Sequence, residues 1–175
     1  LIVATMPIVL VGLIFSDLIA ERNTSIESIT WANLIFAGLL WLAFKFSPQT
    51  KNLLSLTVLT AVAIGCLQAL AIFPGASRSG MAITGALLIG LNLKDSSKFA
   101  FLLSIPTILG ALILMVLKDA FVLTVDDLMI LLTGFIGSAV IAFLTIKVFL
   151  QFVERIGMTP FVIYRLLLGL ALLLV

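Results

Sequence analysis

An eight-residue polar stretch interrupts the apolar middle of this sequence, and its residue types are those that hold anions. Residues 73–80 read FPGASRSG between two almost wholly apolar segments. The groups that could do chemistry are the glycine-exposed amides, the hydroxyls and the guanidinium of Gly75, Ser77, Arg78, Ser79 and Gly80. An arginine within an apolar span costs about 2.5–3.5 kcal/mol on insertion scales, so it survives where it faces a polar cavity or a partner. Together with the N-terminus of the helix expected from about Gly80 onward, these groups predict a phosphate-binding site.

Two polar residues on the flanking helices extend the predicted site. Thr84 follows Gly80 by about one helical turn, so its hydroxyl is expected on the same side of that helix. Gln68 precedes Gly75 by about two helical turns and is a candidate member of the same pocket. A structural alternative stays open for the hydroxyl groups, because serine and threonine are common in packed membrane helices.

A second arginine lies in the last apolar run of the sequence. Arg165 follows Tyr164, about a turn and a half into the last predicted helix. A long arginine side chain near a helix end can extend to the membrane surface while its stem stays in apolar surroundings. The sequence therefore favours snorkelling of Arg165 to the cytoplasmic interface over a role in the site.

The composition requires membrane helices to position these residues. The chain has 175 residues, of which 63% are hydrophobic and 10% charged, and its mean hydropathy is +1.37. A soluble domain carries about 25% charged residues, so this chain is expected to be embedded in lipid. Its apolar runs are too long and unbroken for the strands of a barrel and predict helices. We predict an all-α integral membrane protein with about five spans, at residues 1–20, 29–46, 99–117, 128–150 and 160–175.

The residue types that are rare in this sequence exclude several kinds of chemistry. There is no histidine and a single cysteine, Cys66, which excludes imidazole acid–base catalysis, a disulfide and a cysteine-based metal site in this chain. The net charge of +2 gives no sign of nucleic-acid binding. The sequence opens LIVATMPIVL, without an initiating methionine or a charged segment, and we expect it to start within a larger protein.

Residues 55–93 form one apolar block that is broken at Pro74–Gly75. The fourteen residues from Gly80 to Leu93 would extend only ~21 Å as a helix, against a hydrocarbon core of about 30 Å. Proline and glycine stop the preceding helix. We therefore predict a re-entrant hairpin over about 55–93, within a single polytopic membrane domain that covers residues 1–175.

The charged residues between the apolar runs predict the orientation. One side collects Lys45, Lys51, Lys94, Lys98, Lys147 and Arg155. The other side holds Arg22 and Lys118 together with Glu21, Glu27, Asp119, Asp126 and Asp127. The excess of lysine and arginine makes the first side cytoplasmic. A block that crossed the membrane twice would give the same orientation, so only its length argues for the hairpin.

Several stretches resemble the undecaprenyl-pyrophosphate phosphatase family of the bacitracin-resistance type. CLQALAIFPGASRSGMAITGALLIG resembles the second signature of that family, which has a Pro-Gly-x-Ser-Arg-Ser-Gly core and a threonine a few residues later. The matching positions are Pro74, Gly75, Ser77, Arg78, Ser79, Gly80 and Thr84. The later stretches FAFLLSIPTILGA and FLQFVERIGMTPFVIYRLLLG also resemble family members. The resemblance covers the whole chain.

The resemblance implies hydrolysis of undecaprenyl pyrophosphate to the monophosphate, which recycles the lipid carrier of peptidoglycan synthesis and confers bacitracin resistance. It also implies a multi-pass location in the bacterial inner membrane, a transporter-like fold of two inverted halves and the possibility of a homodimer. Arg78 and Ser77 are the expected catalytic residues, and Gly75, Ser79, Gly80 and Thr84 are expected to bind phosphate with them.

This sequence departs from the family pattern in one respect. The first signature, a glutamate-bearing helix that leads into a Pro-x-Ser-Ser-Thr-Gly-His turn, is absent. The resemblance therefore implies that the chain corresponds to the C-terminal two thirds of a family member and is inactive by itself. A divalent cation, Mg²⁺ or Ca²⁺, is expected for the full-length protein, with ligands outside this chain.

Two other functions remain open at this point. Broken helices at mid-membrane are also a feature of transporters, so the alternative is a transporter or flippase of a phosphorylated lipid. A purely structural membrane subunit is disfavoured, because an arginine inside a membrane span is functional by default.

Overall fold

The computed structural model describes residues 1–15, 25–118 and 125–174, and the regular structure in these ranges is helical. The α-helices are α1 (Ile2–Ile14), α2 (Ile26–Phe46), α3 (Val58–Ala69), α4 (Arg78–Leu88), α5 (Leu93–Lys118), α6 (Val125–Ile156) and α7 (Thr159–Leu172). Two short 3₁₀ turns, Leu53–Ser55 and Leu70–Ile72, precede and follow α3. The predicted all-α fold class is thus confirmed.

The long apolar helices identify a membrane protein. Within the described ranges, three helices are long and apolar enough to cross a bilayer, over Ile26–Phe46, Leu93–Val116 and Asp127–Ile156. The first and last of the five predicted spans correspond to shorter helices, since α1 has 13 residues and α7 has 14. Helices of that length extend only ~20 Å, although the predicted span 1–20 also runs into residues 16–24, which lie outside the described residues.

The predicted hairpin is formed by α3, the loop after it and α4. Its two ends meet: the Lys51 amide donates to the Gly90 carbonyl at 2.9 Å, and the Asn92 amide donates to the Lys51 carbonyl at 2.8 Å. The chain therefore folds back on itself over this block, as predicted. With 12 and 11 residues, both arms are shorter than the ~20 residues that a span needs. That the hairpin turns inside a bilayer stays a prediction.

Helix α4 lies at the centre of the packed core. Every residue from Gly80 to Leu87 is buried, and α4 packs against α2, α3 and α5. Helix α6 differs, because the apolar side chains along its first half are exposed and suit contact with lipid. Its C-terminal end joins the rest of the protein through the edge-to-face contact of Phe149 with Phe101 and the ion pair between Lys94 and Glu154. Helix α4, which directly follows the loop that carries the predicted site, is thus part of the packed core.

Candidate functional site

The loop between α3 and α4, residues Phe73–Ser77, has an unusual backbone that we call the turn. Gly75 has φ 90° and Ser77 has φ 62°. A side chain at Gly75 would collide with the carbonyl of Ile29 on α2, so only glycine fits there. Ser77 is not a glycine, and a residue held in a sparsely populated backbone region costs about 1–3 kcal/mol. Such strain persists only where the surrounding structure fixes it, which is common at ligand sites.

Ser77 also begins α4, which directs the helix N-terminus toward the turn. Its hydroxyl oxygen accepts a hydrogen bond from the Gly80 amide at 3.2 Å. The first amides of a helix lack intrahelical partners and carry the positive end of the helix dipole. The start of α4 is therefore a local environment that favours an anion.

Arg78 is the first residue of α4. Its side chain is exposed and borders a cavity of about 290 Å³. Helix α1, helix α5 and the end of the α3 arm supply the other walls, which are Ile8, Val9, Gly12, Ala71, Ile72, Thr107, Gly110, Ala111 and Leu114. Arg78 is thus the charged group of a cavity whose walls are otherwise almost entirely apolar.

The other predicted site residues do not all face this cavity. Ser79 is half-buried and Gly80 is buried at the start of α4. Thr84 is fully buried and donates its hydroxyl hydrogen to the Gly80 carbonyl at 2.7 Å. Thr84 therefore supports the first turn of α4 from inside. That these groups bind phosphate stays a prediction.

Gln68 is connected to the cavity by a hydrogen bond to Thr107, a residue of the cavity wall. It is buried on α3, and its side-chain amide donates to the hydroxyl of Thr107 at 3.0 Å. Thr107 itself lines the cavity beside Arg78. Gln68 thus joins α3 to α5 one residue away from the cavity wall, and its membership of the pocket stays a prediction.

The expectation that Arg165 snorkels to the membrane surface is wrong. Its side chain is only 4% exposed and lies behind the turn. The Nη2 group donates to the Gly75 carbonyl at 2.8 Å, and Nε donates to Oδ1 of Asn33 at 2.8 Å. Asn33 returns a hydrogen bond from Nδ2 to the Arg165 carbonyl at 2.7 Å. The guanidinium stays inside because oxygen atoms of the turn and of α2 replace the water that it would meet at the surface.

Arg165 and Asn33 lie beside the turn, although the sequence analysis placed Arg165 at the membrane surface and did not single out Asn33. Each is a polar residue within an apolar run, at FVIYRLLLG and WANLIFAGLL, which is the same signal that identified Arg78. Gly169 completes their junction, because a side chain there would collide with Leu34 and lie 3.2 Å from Nδ2 of Asn33. A glycine one helical turn after an intramembrane arginine was thus a further sign of close helix packing.

The described residues contain no cluster of the side chains that commonly bind divalent cations. Within residues 1–15, 25–118 and 125–174, no three histidine, cysteine or acidic side chains are close enough to share a metal ion. Of the acidic groups there, Asp95 caps the 3₁₀ turn through the Leu53 amide, and Glu154 pairs with Lys94. At the turn, the described residues therefore offer a ligand hydrogen-bond donors and positive charge.

Comparison with known proteins gives one family. The family model of the bacitracin resistance protein BacA matches residues 1–171. Proteins named undecaprenyl-diphosphatase are 48% identical to this chain in Teredinibacter turnerae and 45% identical in Alcanivorax borkumensis. The alignments cover 98% and 97% of this chain, which spans 65% and 64% of the lengths of those relatives. A relative of the same name from Ruthia magnifica is 43% identical over 98% of this chain and 65% of its own length.

Proposed function

This chain belongs to the family of the bacitracin resistance protein BacA, and on that premise we propose that it forms the phosphate-holding part of an undecaprenyl-diphosphatase. The observation that carries the proposal is the position of Arg78, at the N-terminus of α4 and beside an apolar cavity. A polyprenyl pyrophosphate has a charged head and an apolar chain, so it needs these two surfaces next to each other. The name of the relatives supports the same substrate class.

The proposed reaction is hydrolysis of a phosphoanhydride. Water adds to one phosphorus atom, the P–O bond to the bridging oxygen breaks, and the products are inorganic phosphate and the lipid monophosphate. Arg78 holds a phosphate group and stabilises the negative charge that develops on its oxygens. The Ser77 hydroxyl, which already accepts from the Gly80 amide, donates its own hydrogen to a phosphate oxygen. Ser79 and the amide at Gly75 add further donors.

The setting of this reaction follows from the proposed substrate. The lipid carrier is recycled in the bacterial inner membrane, which sustains peptidoglycan synthesis and resistance to bacitracin. The divalent cation and a homodimer belong to the proposal as properties of the family. The cation would neutralise phosphate charge, but the described residues supply no ligand set for it, and the roles of Arg78 and Ser77 do not depend on it.

The decisive experiment measures phosphate release in detergent, where transport across a membrane cannot contribute. A protein of the relatives' full length that carries this chain is purified, mixed with undecaprenyl pyrophosphate, and assayed for inorganic phosphate. We expect turnover that Arg78→Ala abolishes and that Arg155→Ala leaves unchanged, since Arg155 is an exposed arginine at the end of α6. Equal turnover of the two variants would remove the basis of the proposal.

The short arms of the hairpin favour a second candidate function. Broken helices near the middle of the bilayer also form the substrate sites of transporters, so a flippase of a phosphorylated lipid would use the same turn. The two functions separate in vesicles: a flippase moves a labelled polyprenyl phosphate between leaflets without releasing phosphate. Transfer that Arg78→Ala abolishes, without phosphate release in detergent, would favour the flippase.

A further inference from the structure

The guanidinium of Arg165 is a buried cation whose hydrogen-bond acceptors among the described residues are all neutral. It donates to Oδ1 and the carbonyl of Asn33 and to the carbonyl of Gly75. The ion pair found among the described residues joins Lys94 to Glu154, at the ends of α5 and α6, and does not involve Arg165. A buried charge that is not paired with an opposite charge is costly. Its position therefore calls for an explanation beyond packing.

One nitrogen of this guanidinium lacks a partner. The Nη1 group of Arg165 is buried and makes no hydrogen bond within the described part of the chain. An unsatisfied buried group of this kind is rare in native structures and often marks a place that a ligand, ion or water completes. The remaining donors of Arg165 are used, so Nη1 is the group available to the surroundings of the turn.

The free nitrogen lies at the first turn of α4. A Cβ placed on Gly80 would be 3.1 Å from Nη1 of Arg165 and 3.1 Å from the Ser77 hydroxyl oxygen. Nη1 and the Ser77 hydroxyl therefore both lie close to Gly80, in the first turn of α4. The positive end of the helix dipole and an uncompensated cation therefore act at the same place.

We propose that Arg165 is a positioning residue of the anion site and that its unpaired charge gives the turn its preference for the more highly charged pyrophosphate over phosphate. The inference rests on the proposed role of the turn as a phosphate site. Arg165 does not contact the ligand in this proposal. It holds the Gly75 carbonyl by a hydrogen bond and places a positive charge close to the amides that face the ligand. Arg78 acts from the opposite side, at the cavity.

The two arginines therefore have different tasks. Arg78 is exposed and contacts the ligand directly, whereas Arg165 is buried and reaches it through the turn. Because a charge interaction grows with the charge of the ligand, the contribution of Arg165 should be larger for pyrophosphate than for phosphate. A residue that only packed the turn would affect both anions alike.

The test changes the charge of this cluster without removing Arg165. Asn33→Asp places a carboxylate where Oδ1 accepts from Nε of Arg165 and so neutralises the cation. Asn33→Ser is the control, because it removes both the Nδ2 donor and the Oδ1 acceptor of Asn33 but leaves the cation unpaired. Both variants of this chain are purified in detergent with their thermal unfolding recorded, and binding of inorganic pyrophosphate and inorganic phosphate is measured by isothermal calorimetry.

We expect Asn33→Asp to weaken pyrophosphate binding by about tenfold or more, because it pairs a unit charge in a medium of low dielectric constant. Phosphate binding should weaken less, and Asn33→Ser should bind pyrophosphate more tightly than Asn33→Asp, because it removes hydrogen bonds of Asn33 but adds no opposite charge. Equal affinities of the Asp and Ser variants for pyrophosphate would overturn the inference. If Asn33→Asp does not fold, Arg165→Gln removes the charge, keeps an amide donor for Gly75, and is judged by the same comparison.

The outcomes separate this inference from the proposed function. If the chain binds pyrophosphate and Arg78→Ala weakens binding while the two Asn33 variants agree, the phosphate site stands and the role of Arg165 is refuted. If the unchanged chain binds neither anion, the phosphate site itself fails, and the inference fails with it.

Discussion

Replacement of Arg78 tests the central chemical assignment, because this side chain can be removed without disturbing the fold. Arg78 is exposed at the cavity, so its loss should change the free energy of unfolding by no more than about 0.5 kcal/mol. The cavity that it borders has mostly apolar walls. Losing a charge-assisted donor at a developing charge costs about 2.7–4 kcal/mol, which is ~100–1000-fold in rate. We expect that loss for Arg78→Ala.

The lysine variant separates charge from geometry at this position. Arg78→Lys keeps the charge but loses the planar pair of donors that matches two phosphate oxygens. One hydrogen bond to a charged group contributes about 1.5–3 kcal/mol, so we expect a loss of about tenfold to a hundredfold. Ser77→Ala should reduce the rate less, because a neutral hydrogen bond contributes ~0.5–1.5 kcal/mol.

The assay for these variants is phosphate release from undecaprenyl pyrophosphate in detergent, with monodispersity and thermal unfolding as checks of folding. Arg155→Ala controls for the loss of an arginine elsewhere on the protein. If a well-folded Arg78→Ala protein keeps the turnover of the unchanged protein, Arg78 does not hold the phosphate and the assignment is refuted.

Three further predictions concern the hairpin and its turn. Cysteines placed at Leu53 and Leu93 should react with an impermeant thiol reagent from the same side of the membrane, because the ends of the hairpin meet at Lys51 and Gly90; reaction from opposite sides would exclude a re-entrant hairpin. The Lys94–Lys98 segment should be accessible from the cytoplasm and Asp127 from outside, and the reverse result in a protease or labelling map would contradict the charge argument. Gly75→Ala should lower thermal stability and pyrophosphate affinity together, because its φ of 90° and the Ile29 carbonyl leave no room for a side chain; Gly134→Ala, at a position with open space on α6, is the control, and equal effects of the two would disprove the role of the turn backbone.

The sequence predicted the hairpin because the relevant physics is local. A Pro-Gly pair such as Pro74–Gly75 disfavours continuation of a helix, and the length of the following apolar segment can be compared directly with the thickness of a bilayer. The lengths of the outer helices were less predictable. Hydropathy marks residues that tolerate lipid, but it does not mark where the backbone stops being helical, as at Gly157 before α7.

The place of Arg165 could not be predicted in this way, because it depends on contacts between distant parts of the chain. Its partners lie 132 and 90 residues away, at Asn33 and Gly75. A single sequence shows that Arg165 lies in an apolar run, but not that α7 packs against α2 at this level. Its position about a turn and a half into the last predicted helix made the membrane surface the expected location, whereas in the structure the Gly75 carbonyl is an acceptor inside the protein.

The conformation of the turn depends on Arg165 and Asn33, and the burial of Arg165 depends on the acceptor that the turn supplies. A turn with positive φ at Gly75 and Ser77 would relax if nothing fixed it, since the conformation of Ser77 is unfavourable by itself. Arg165 fixes it at the Gly75 carbonyl, and Asn33 fixes Arg165. The amides of α4 are thereby held in place before a ligand arrives, so binding need not supply the free energy of ordering them. A site built in this way suits stabilisation of charge in a transition state, because donors that are already oriented need no reorganisation when that charge develops.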